Sequence, residues 1–304
     1  MANYLGIDTS NYTTSVASCV GDEIEKNIRM LLKVAEGERG LRQSDAVFQH
    51  TVNLPSAFSE LGELKFDAVG VSSTPRDSEG SYMPCFLSGV AAATALARTS
   101  GVPLYNFSHQ AGHIAAALYS VGREDLIHKK FLAFHVSGGT TELTFVEDGK
   151  ITLLGGTKDI SAGKAIDRIG VKLGISFPCG KHLDSIANDY ESVKLDKLSV
   201  DGLSFNLSGL ENKADKLIAS GADRSYVAAY TIKTVCAVLD KLTENAIAIY
   251  GDLPILYAGG VMSNSYIKKT LTDKFCGLFA MPEFSCDNAA GIARLAALKH
   301  NKQI

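Results

Sequence analysis

His109 and His113 stand four residues apart in the segment His109-Gln110-Ala111-Gly112-His113. On a helix that spacing puts both imidazoles on one face, close enough to share a metal ion. The same spacing also suits a plain pair of core or surface histidines. Residue 110 is glutamine, so the general-base glutamate of a zinc peptidase helix is missing from its expected place. A third ligand must then come from elsewhere. Asp287, in Ser285-Cys286-Asp287-Asn288 just ahead of a helical stretch, is the candidate. Its alternative reading is a carboxylate placed at a helix N-terminus for the dipole.

A second kind of chemistry is written in three turns, each following an apolar strand: Ser10–Thr14, Ser137–Thr141 and Gly259–Asn264. Turns rich in glycine or hydroxyls present backbone N–H groups to an anion, and glycine lets a phosphate approach the backbone. Ser10, Asn11 and Thr13 are phosphate candidates in the first turn, and His135 to Gly139 lead through the second. None of the turns matches a P-loop or a Rossmann fingerprint. Each alone reads equally as an ordinary tight turn; the three together have the layout of a nucleotide gripped between two related lobes. Asp159, Lys164, Asp167 and Asp184 flank a further loop, Phe177-Pro178-Cys179-Gly180. A carboxylate beside a nucleotide can take two ribose hydroxyls, and Asp167 is the better placed for this. Asp159 is equally a loop or capping residue.

The elements that must hold these residues alternate. Tyr4–Val20 reads as strand, turn, strand. A helix follows over Thr51–Leu61, a buried strand over Asp67–Ser73 and a small-residue helix over Phe86–Arg98. Ser108 is a good N-cap for the helix that opens with His109. Phe131–Val146 repeats strand, turn, strand, a helix covers Ser225–Tyr250, and a strand-turn-helix starts at Ile255. A closing helix runs from about Asn288 to His300. This alternation implies α/β layers. The two hairpins also match without a gap: YLGIDTSNYTTSV lies over FLAFHVSGGTTEL at a constant offset of 127 positions, with Ser10 on Ser137 and Thr13 on Thr140. Two copies of one module are the implication.

Composition sets the outer bounds. The chain has 304 residues, enough for two domains, with 46% hydrophobic and 21% charged residues, so it is expected to fold. A net charge of −3 does not advertise a nucleic-acid partner, although a local basic face can sit inside a neutral total. The six cysteines form no C-x-x-C pair and read as thiols of a reducing compartment. With no basic or apolar leader at Met1–Leu5 and no membrane-length apolar run, the expectation is a cytoplasmic protein with no membrane partner.

These motifs together resemble, nearly end to end, the catalytic subunit family of tRNA threonylcarbamoyladenosine synthase, formerly called O-sialoglycoprotein endopeptidase. The residues that carry the resemblance are Gly6-Ile7-Asp8-Thr9-Ser10, the His109/His113 pair, Val136-Ser137-Gly138-Gly139, Ala162-Gly163-x-Ala165-x-Asp167, Pro178-Cys179-Gly180, Ala258-Gly259-Gly260-Val261-x-x-Asn264 and Asp287-Asn288. The resemblance implies an α/β actin-like ATPase (ASKHA) fold, with two RNase H-like lobes around a nucleotide cleft. The expected division is 1–108, completed by 288–304, and 109–287. It implies that His109, His113 and Asp287 bind one divalent metal, iron or zinc. It further implies that His135, Val136, Ser137, Gly138, Gly139, Asp167, Gly180, Asp184 and Asn264 hold ATP or the acyl-adenylate threonylcarbamoyl-AMP. The implied activity is transfer of a threonylcarbamoyl group to an acceptor amine, with tRNA reached through partner subunits in a homo- or heterodimer. No catalytic base is assigned.

The sequence also departs from that family. Its first turn usually reads Thr-Ser-Cys-Asp-Glu-Thr; here it is Thr9-Ser10-Asn11-Tyr12-Thr13-Thr14, without the two acids. The usual Ser-Gly-Gly-His-Thr is Ser137-Gly138-Gly139-Thr140-Thr141, the usual Pro-Gly-Gly-Pro is Pro178-Cys179-Gly180-Lys181, and the Gly-Pro-Gly loop is replaced around Thr74–Ser88. Metal and phosphate positions persist while groups on the acceptor side change, which implies altered chemistry or an altered acceptor. Two other readings stand beside the transferase: a non-catalytic nucleotide-binding relative that regulates an assembly, and a metallopeptidase.

Overall fold

The structure, a computed structural model, describes residues 1–10, 12–34, 41–187, 190 and 192–304. Asn11, one of the phosphate candidates, lies outside them. The chain forms two compact units, Met1–His128 with Glu283–Ile304, and Lys129–Pro282.

The first unit opens with β1 (Asn3–Asp8), β2 (Thr13–Val20) and β3 (Glu23–Leu31), then α1 (Gln43–Leu61), β4 (Ala68–Thr74), α2 (Phe86–Ser100), β5 (Leu104–Ser108) and α3 (His109–Ser120). Its sheet has the order β3-β2-β1-β4-β5, antiparallel across the hairpins and parallel from β1 through β4 to β5. Strand periodicity decides what each face meets. Leu5 and Ile7 pack with Leu54, Ala57, Ala93 and Ala97 of α1 and α2. Tyr4 points the other way.

The second unit holds β6 (Phe131–Val136), β7 (Thr141–Glu147), β8 (Lys150–Thr157), α4 (Ala162–Lys172), α5 (Gly180–Ala187), β9 (Val200–Asp201), β10 (Ser204–Phe205), α6 (Ser208–Ala219), α7 (Arg224–Tyr250), β11 (Ile255–Ala258), α8 (Ser265–Phe275) and β12 (Leu278–Phe279). Its sheet runs β12-β11-β6-β7-β8-β10-β9. Leu132, Phe134 and Val136 alternate into a core shared with Ile166 and Ile169 of α4 and Ile232, Val235 and Leu239 of α7. Tyr257 is fully buried between Phe134 and Phe279, with ring centroids at 5.0 and 4.8 Å. Its hydroxyl meets Thr243 Oγ1 at 2.9 Å, so the one polar atom is satisfied.

The two units carry the predicted repeat. Five strands of the second sheet, β12-β11-β6-β7-β8, mirror β5-β4-β1-β2-β3. Asp8 pairs with Ser15, and His135 with Glu142, which is the same register displaced by the sequence offset of 127.

The last helix, α9 (Ala290–His300), returns to the first unit, and Ala289, Ala290, Ala293, Ala296 and Ala297 share a core with Tyr4, Ala17 and Ala68. The first unit therefore takes in 109–128 and 283–287, which the expected boundaries at 108/109 and 287/288 gave to the other lobe. Packing is the reason. α3 lies so close to α9 that a Cβ on Gly291 would sit 1.9 Å from the carbonyl oxygen of Gly112, so the histidine helix and the closing helix form one layer. α1 begins at Gln43 rather than Thr51, because Ala46, His50, Leu54, Ala57 and Leu61 make one continuous buried stripe. Among the described residues, no helix is long and apolar enough to cross a membrane.

Candidate metal centre and nucleotide turns

Tyr4, Gly6 and Asp8 occupy one face of β1, the face covered by α9; a Cβ on Gly6 would lie 2.4 Å from the Ala289 carbonyl oxygen. The neighbouring strand presents Ala68, Gly70 and Ser72 in the same way. Asp8 ends β1 facing the start of α3. There the hydroxyl of Ser108 accepts from Ala111 N at 3.1 Å, the N-cap expected from sequence. This fixes His109 in the first turn, with His113 one turn later.

Asp287 is brought to them by the segment before α9. Ser15 Oγ accepts from Ala289 N at 2.9 Å, Asn288 Oδ1 accepts from Ala290 N at 3.0 Å, and Asn288 Nδ2 donates to the Cys286 carbonyl at 2.6 Å. Asp287 Oδ1 then lies 3.1 Å from His113 Nε2 and 3.4 Å from His109 Nε2, and the two Nε2 atoms are 2.9 Å apart. Both histidine side chains are 12% exposed and Asp287 25%.

Burial alone would push the Asp287 carboxyl up, but the two imidazoles hold it well below the usual carboxylate range. Burial likewise disfavours a charged His109, yet the Asp8 and Asp287 carboxylates outweigh it and raise its pKa to about 10. Asp8, fully buried, is pushed up by desolvation and held down more strongly by His109 and by donors from Ser10 and Ser72. The donor set fits a divalent ion. Ligands at about 2.0–2.2 Å from one ion sit roughly 3.0–3.5 Å apart in octahedral or tetrahedral arrangements, close to the three separations seen here. Two imidazoles and one carboxylate leave further coordination positions for substrate or water.

The contact of His109 Nδ1 with Asp8 Oδ2, at 2.8 Å, was not anticipated. In the sequence Asp8 reads as the first of a run of turn residues. The available signal was its position on the small-residue face of a buried strand, where a carboxylate needs partners.

In the first turn Ser10 and Thr13 face inward. Ser10 is fully buried and gives both its N–H (2.8 Å) and its hydroxyl (2.5 Å) to Asp8 Oδ1. Thr13 is 5% exposed, and its N–H donates to the Ser10 carbonyl at 3.3 Å. The second turn is open. Ser137 N donates to the Thr140 carbonyl at 2.7 Å and Thr140 N to Ser137 Oγ at 3.1 Å, while Gly138 and Gly139 are exposed with nothing near an added Cβ. The start of α4 packs beneath this turn: Ser161 Oγ donates to the Gly138 carbonyl at 2.6 Å, and Ala162 N to Thr141 Oγ1 at 2.9 Å.

The third turn meets the second from the side. Gly259, at φ 100°, would place a Cβ 2.3 Å from the Val136 carbonyl oxygen, so only glycine fits both the conformation and the space. His135 and Val136 are on β6 beside it. Asn264 caps α8, accepting from Ile267 N at 3.0 Å. Asp184 on α5 accepts from Ser265 N and Oγ, both at 2.9 Å. Asp167 Oδ1 accepts from Cys179 N at 2.9 Å and so holds the loop that leads to Gly180; burial raises its pKa. Asp159 is a cap: it accepts from Leu207 N and Ser208 N, both at 2.9 Å, at the start of α6.

Residues 44–294 match the TsaD family, described as tRNA N6-adenosine threonylcarbamoyltransferase. Proteins of that name from Geobacillus thermodenitrificans and Bacillus licheniformis are similar to this chain. The first is 33% identical over 315 residues, spanning 95% of this chain and 89% of the relative. The second is 30% identical over 329 residues, spanning 99% and 92%. Among solved structures, component A of the Acidaminococcus fermentans (R)-2-hydroxyglutaryl-CoA dehydratase aligns with TM-score 0.59 and 17% identity, covering 99% of this chain and 100% of the other. HypF from T. kodakarensis aligns with TM-score 0.61 and 13% identity, covering 99% of this chain and 48% of the other. At those identities the structural likeness speaks for the fold alone, the actin-like α/β arrangement.

Proposed function

The chain belongs to the tRNA N6-adenosine threonylcarbamoyltransferase family, and we propose that it is an enzyme transferring a threonylcarbamoyl group from an adenylate to an acceptor amine. The observation that carries this reading is the convergence of His109, His113 and Asp287, whose ligand atoms all lie within 4.8 Å of one another. A divalent ion held there, iron or zinc, would supply Lewis-acid polarisation of the transferred carbonyl.

The second unit takes the nucleotide in this reading. The open backbone of Gly138 and Gly139, framed by Ser137 and by the start of α4, is the place for phosphate oxygens, and His135 and Val136 set that turn at the end of β6. Asp167, raised by burial and tied to Cys179 through one oxygen, is the ribose candidate. Asp184 and Asn264 act there as framework, since their hydrogen bonds hold the start of α8, and Gly180 leaves space beside the loop. Ser10 is spent on Asp8, so the phosphate role rests on the second turn rather than the first.

The reaction breaks the C–O bond between the carbamoyl carbon and an oxygen of the adenylate phosphate. AMP leaves with the electron pair, a C–N bond forms, and the attacking amine loses a proton. The described side chains of the first turn include no carboxylate to accept that proton at neutral pH, so in this reading the acceptor side is where the chain departs from the family's usual motif. We place tRNA as the acceptor, reached with partner subunits because the net charge is −3. A cytoplasmic location accords with six cysteines that form no C-x-x-C pair. A regulatory, non-catalytic role is not favoured beside relatives named as transferases, and a peptidase is not favoured with Gln110 beside the histidine.

The test is a transfer assay with purified threonylcarbamoyl-adenylate and tRNA, run with the chain alone and with the partner proteins of its family. Modified tRNA with partners present, lost on the double change His109→Ala and His113→Ala, is expected. No transfer to tRNA in either arm would overturn the reading.

A further inference from the structure

We propose that Asp8 is a positioning residue of the metal centre, fixing His109 in the tautomer that offers Nε2 to the ion. The inference rests on the metal reading above and adds to it a residue that is not itself a ligand.

An ionised carboxylate only accepts hydrogen bonds. Asp8 is 1% exposed and stands at the end of a strand flanked by partners on both sides. Four donors converge on it: Ser10 N at 2.8 Å and Ser10 Oγ at 2.5 Å on Oδ1, with Ser72 Oγ and His109 Nδ1, the latter at 2.8 Å, on Oδ2. These fill about the four lone-pair sites that a carboxylate has. Nothing is left for Asp8 to do but accept, so Nδ1 of His109 must carry the hydrogen. In the neutral ring Nε2 then holds the lone pair, and Nε2 is the atom that faces His113 Nε2 at 2.9 Å and Asp287 Oδ1 at 3.4 Å.

Asp8 is excluded as a ligand by the same geometry. It binds the nitrogen on the opposite edge of the ring, and the cluster of ligand atoms comprises His109, His113 and Asp287. Its effect is to orient the ring, to fix the tautomer and to make Nε2 a better donor, as carboxylates behind metal-binding histidines do. The sheet supplies the rigidity. Asp8 ends β1, Ser72 lies near the end of the adjacent parallel strand β4, and its hydroxyl donates to Asp8, so Ser72 orients the carboxylate that orients the histidine.

The experiment compares zinc affinity of the full chain, measured by chelator competition at fixed pH, in wild type, Asp8→Asn and Ser72→Ala. Asp8→Asn should weaken zinc binding about 10–100-fold. Ser72→Ala keeps the Asp8–His109 bond and should lose less. Equal zinc affinity in wild type and a folded Asp8→Asn would overturn the proposal. A wild-type chain that binds no zinc would instead overturn the metal reading on which it rests. A second measurement needs no variant, should Asp8→Asn fail to fold. In zinc-loaded wild type, nitrogen-15 spectra of the histidine rings should place zinc on Nε2 of His109 and a slowly exchanging proton on Nδ1. Zinc on Nδ1 would sink the idea.

Discussion

At the scale of single residues the proposed chemistry divides between candidate ligands and the groups that hold them. Replacing both His109 and His113 by alanine removes two of three donors. Metal content should fall from about one ion per chain to near zero, with far-ultraviolet circular dichroism unchanged. Retained stoichiometric metal would remove the pair from the site. Asp167→Ala should weaken adenine-nucleotide binding by about 1–3 kcal/mol, the range for a lost hydrogen bond to a charged group; calorimetry showing unchanged affinity would take Asp167 out of it. The histidine pair was legible in the sequence because helical spacing is local geometry. Asp287 was legible as a candidate through its place before a helix and through the family motif. Asp8 was not, because its meaning depends on His109, which only the parallel order of β1, β4 and β5 brings alongside. Nor could the sequence say that Ser10 would turn its hydroxyl inward, since a serine in a turn satisfies an anion or a neighbouring carboxylate equally well.

At the scale of elements, the site depends on how closely α3 and α9 approach. Gly291→Ala would drive a methyl into the Gly112 carbonyl and to 2.7 Å from Ala116 N. The expected cost is about 1–3 kcal/mol, typical of overpacking, and metal affinity should fall as Asp287 moves off His113; a melting curve and a metal titration on the same variant test both. An ordinary melting temperature would mean that the helices separate at little cost. Asp159 gives a pH-dependent counterpart in the second unit. Burial pushes its carboxyl up, but the N–H groups of Leu207, Ser208 and Ile160 hold it down at about 2. A depressed carboxylate stabilises the fold above its unfolded pKa, about 3.9, and that stability drains away as pH falls through 2. Wild type should therefore lose stability across this window, and Asp159→Asn should lose less across it; equal slopes would contradict the capping role. Strands at sheet centres were readable as apolar runs. β3 was not, because it is an edge strand whose Glu23-Ile24-Glu25-Lys26-Asn27 dilutes the pattern with solvent-facing polar residues. The start of α1 was missed for a different reason: Arg42 gives no side-chain cap, so nothing local marks it.

At the scale of the molecule, the duplication was visible before the fold, because two gapless hairpins impose two sheets of one register. The return of the closing helix to the first unit was expected from the resemblance, but the place of 109–128 and 283–287 was not, since α3 joins that unit through a contact with α9 that no local pattern marks. A chain cut after Pro282 should keep the second unit, which is continuous from Lys129 to Pro282. It should lose the first-unit melting transition and, on the metal reading proposed above, metal binding, because α9 and Asp287 leave together. Two calorimetric transitions in the full chain and one in the shortened chain are expected; a shortened chain that still binds metal would contradict this. The return of α9 also bears on how the protein is made. Synthesis usually lets the earlier part of a chain fold first, but here the first unit waits for its last helix. A nascent chain can finish the second unit while β1, β4 and the histidine helix still lack their cover. On the metal reading proposed above, capture of the ion would require translation to have run through residue 287, so products interrupted before it are expected to emerge without metal, a chemical record of how far synthesis had gone.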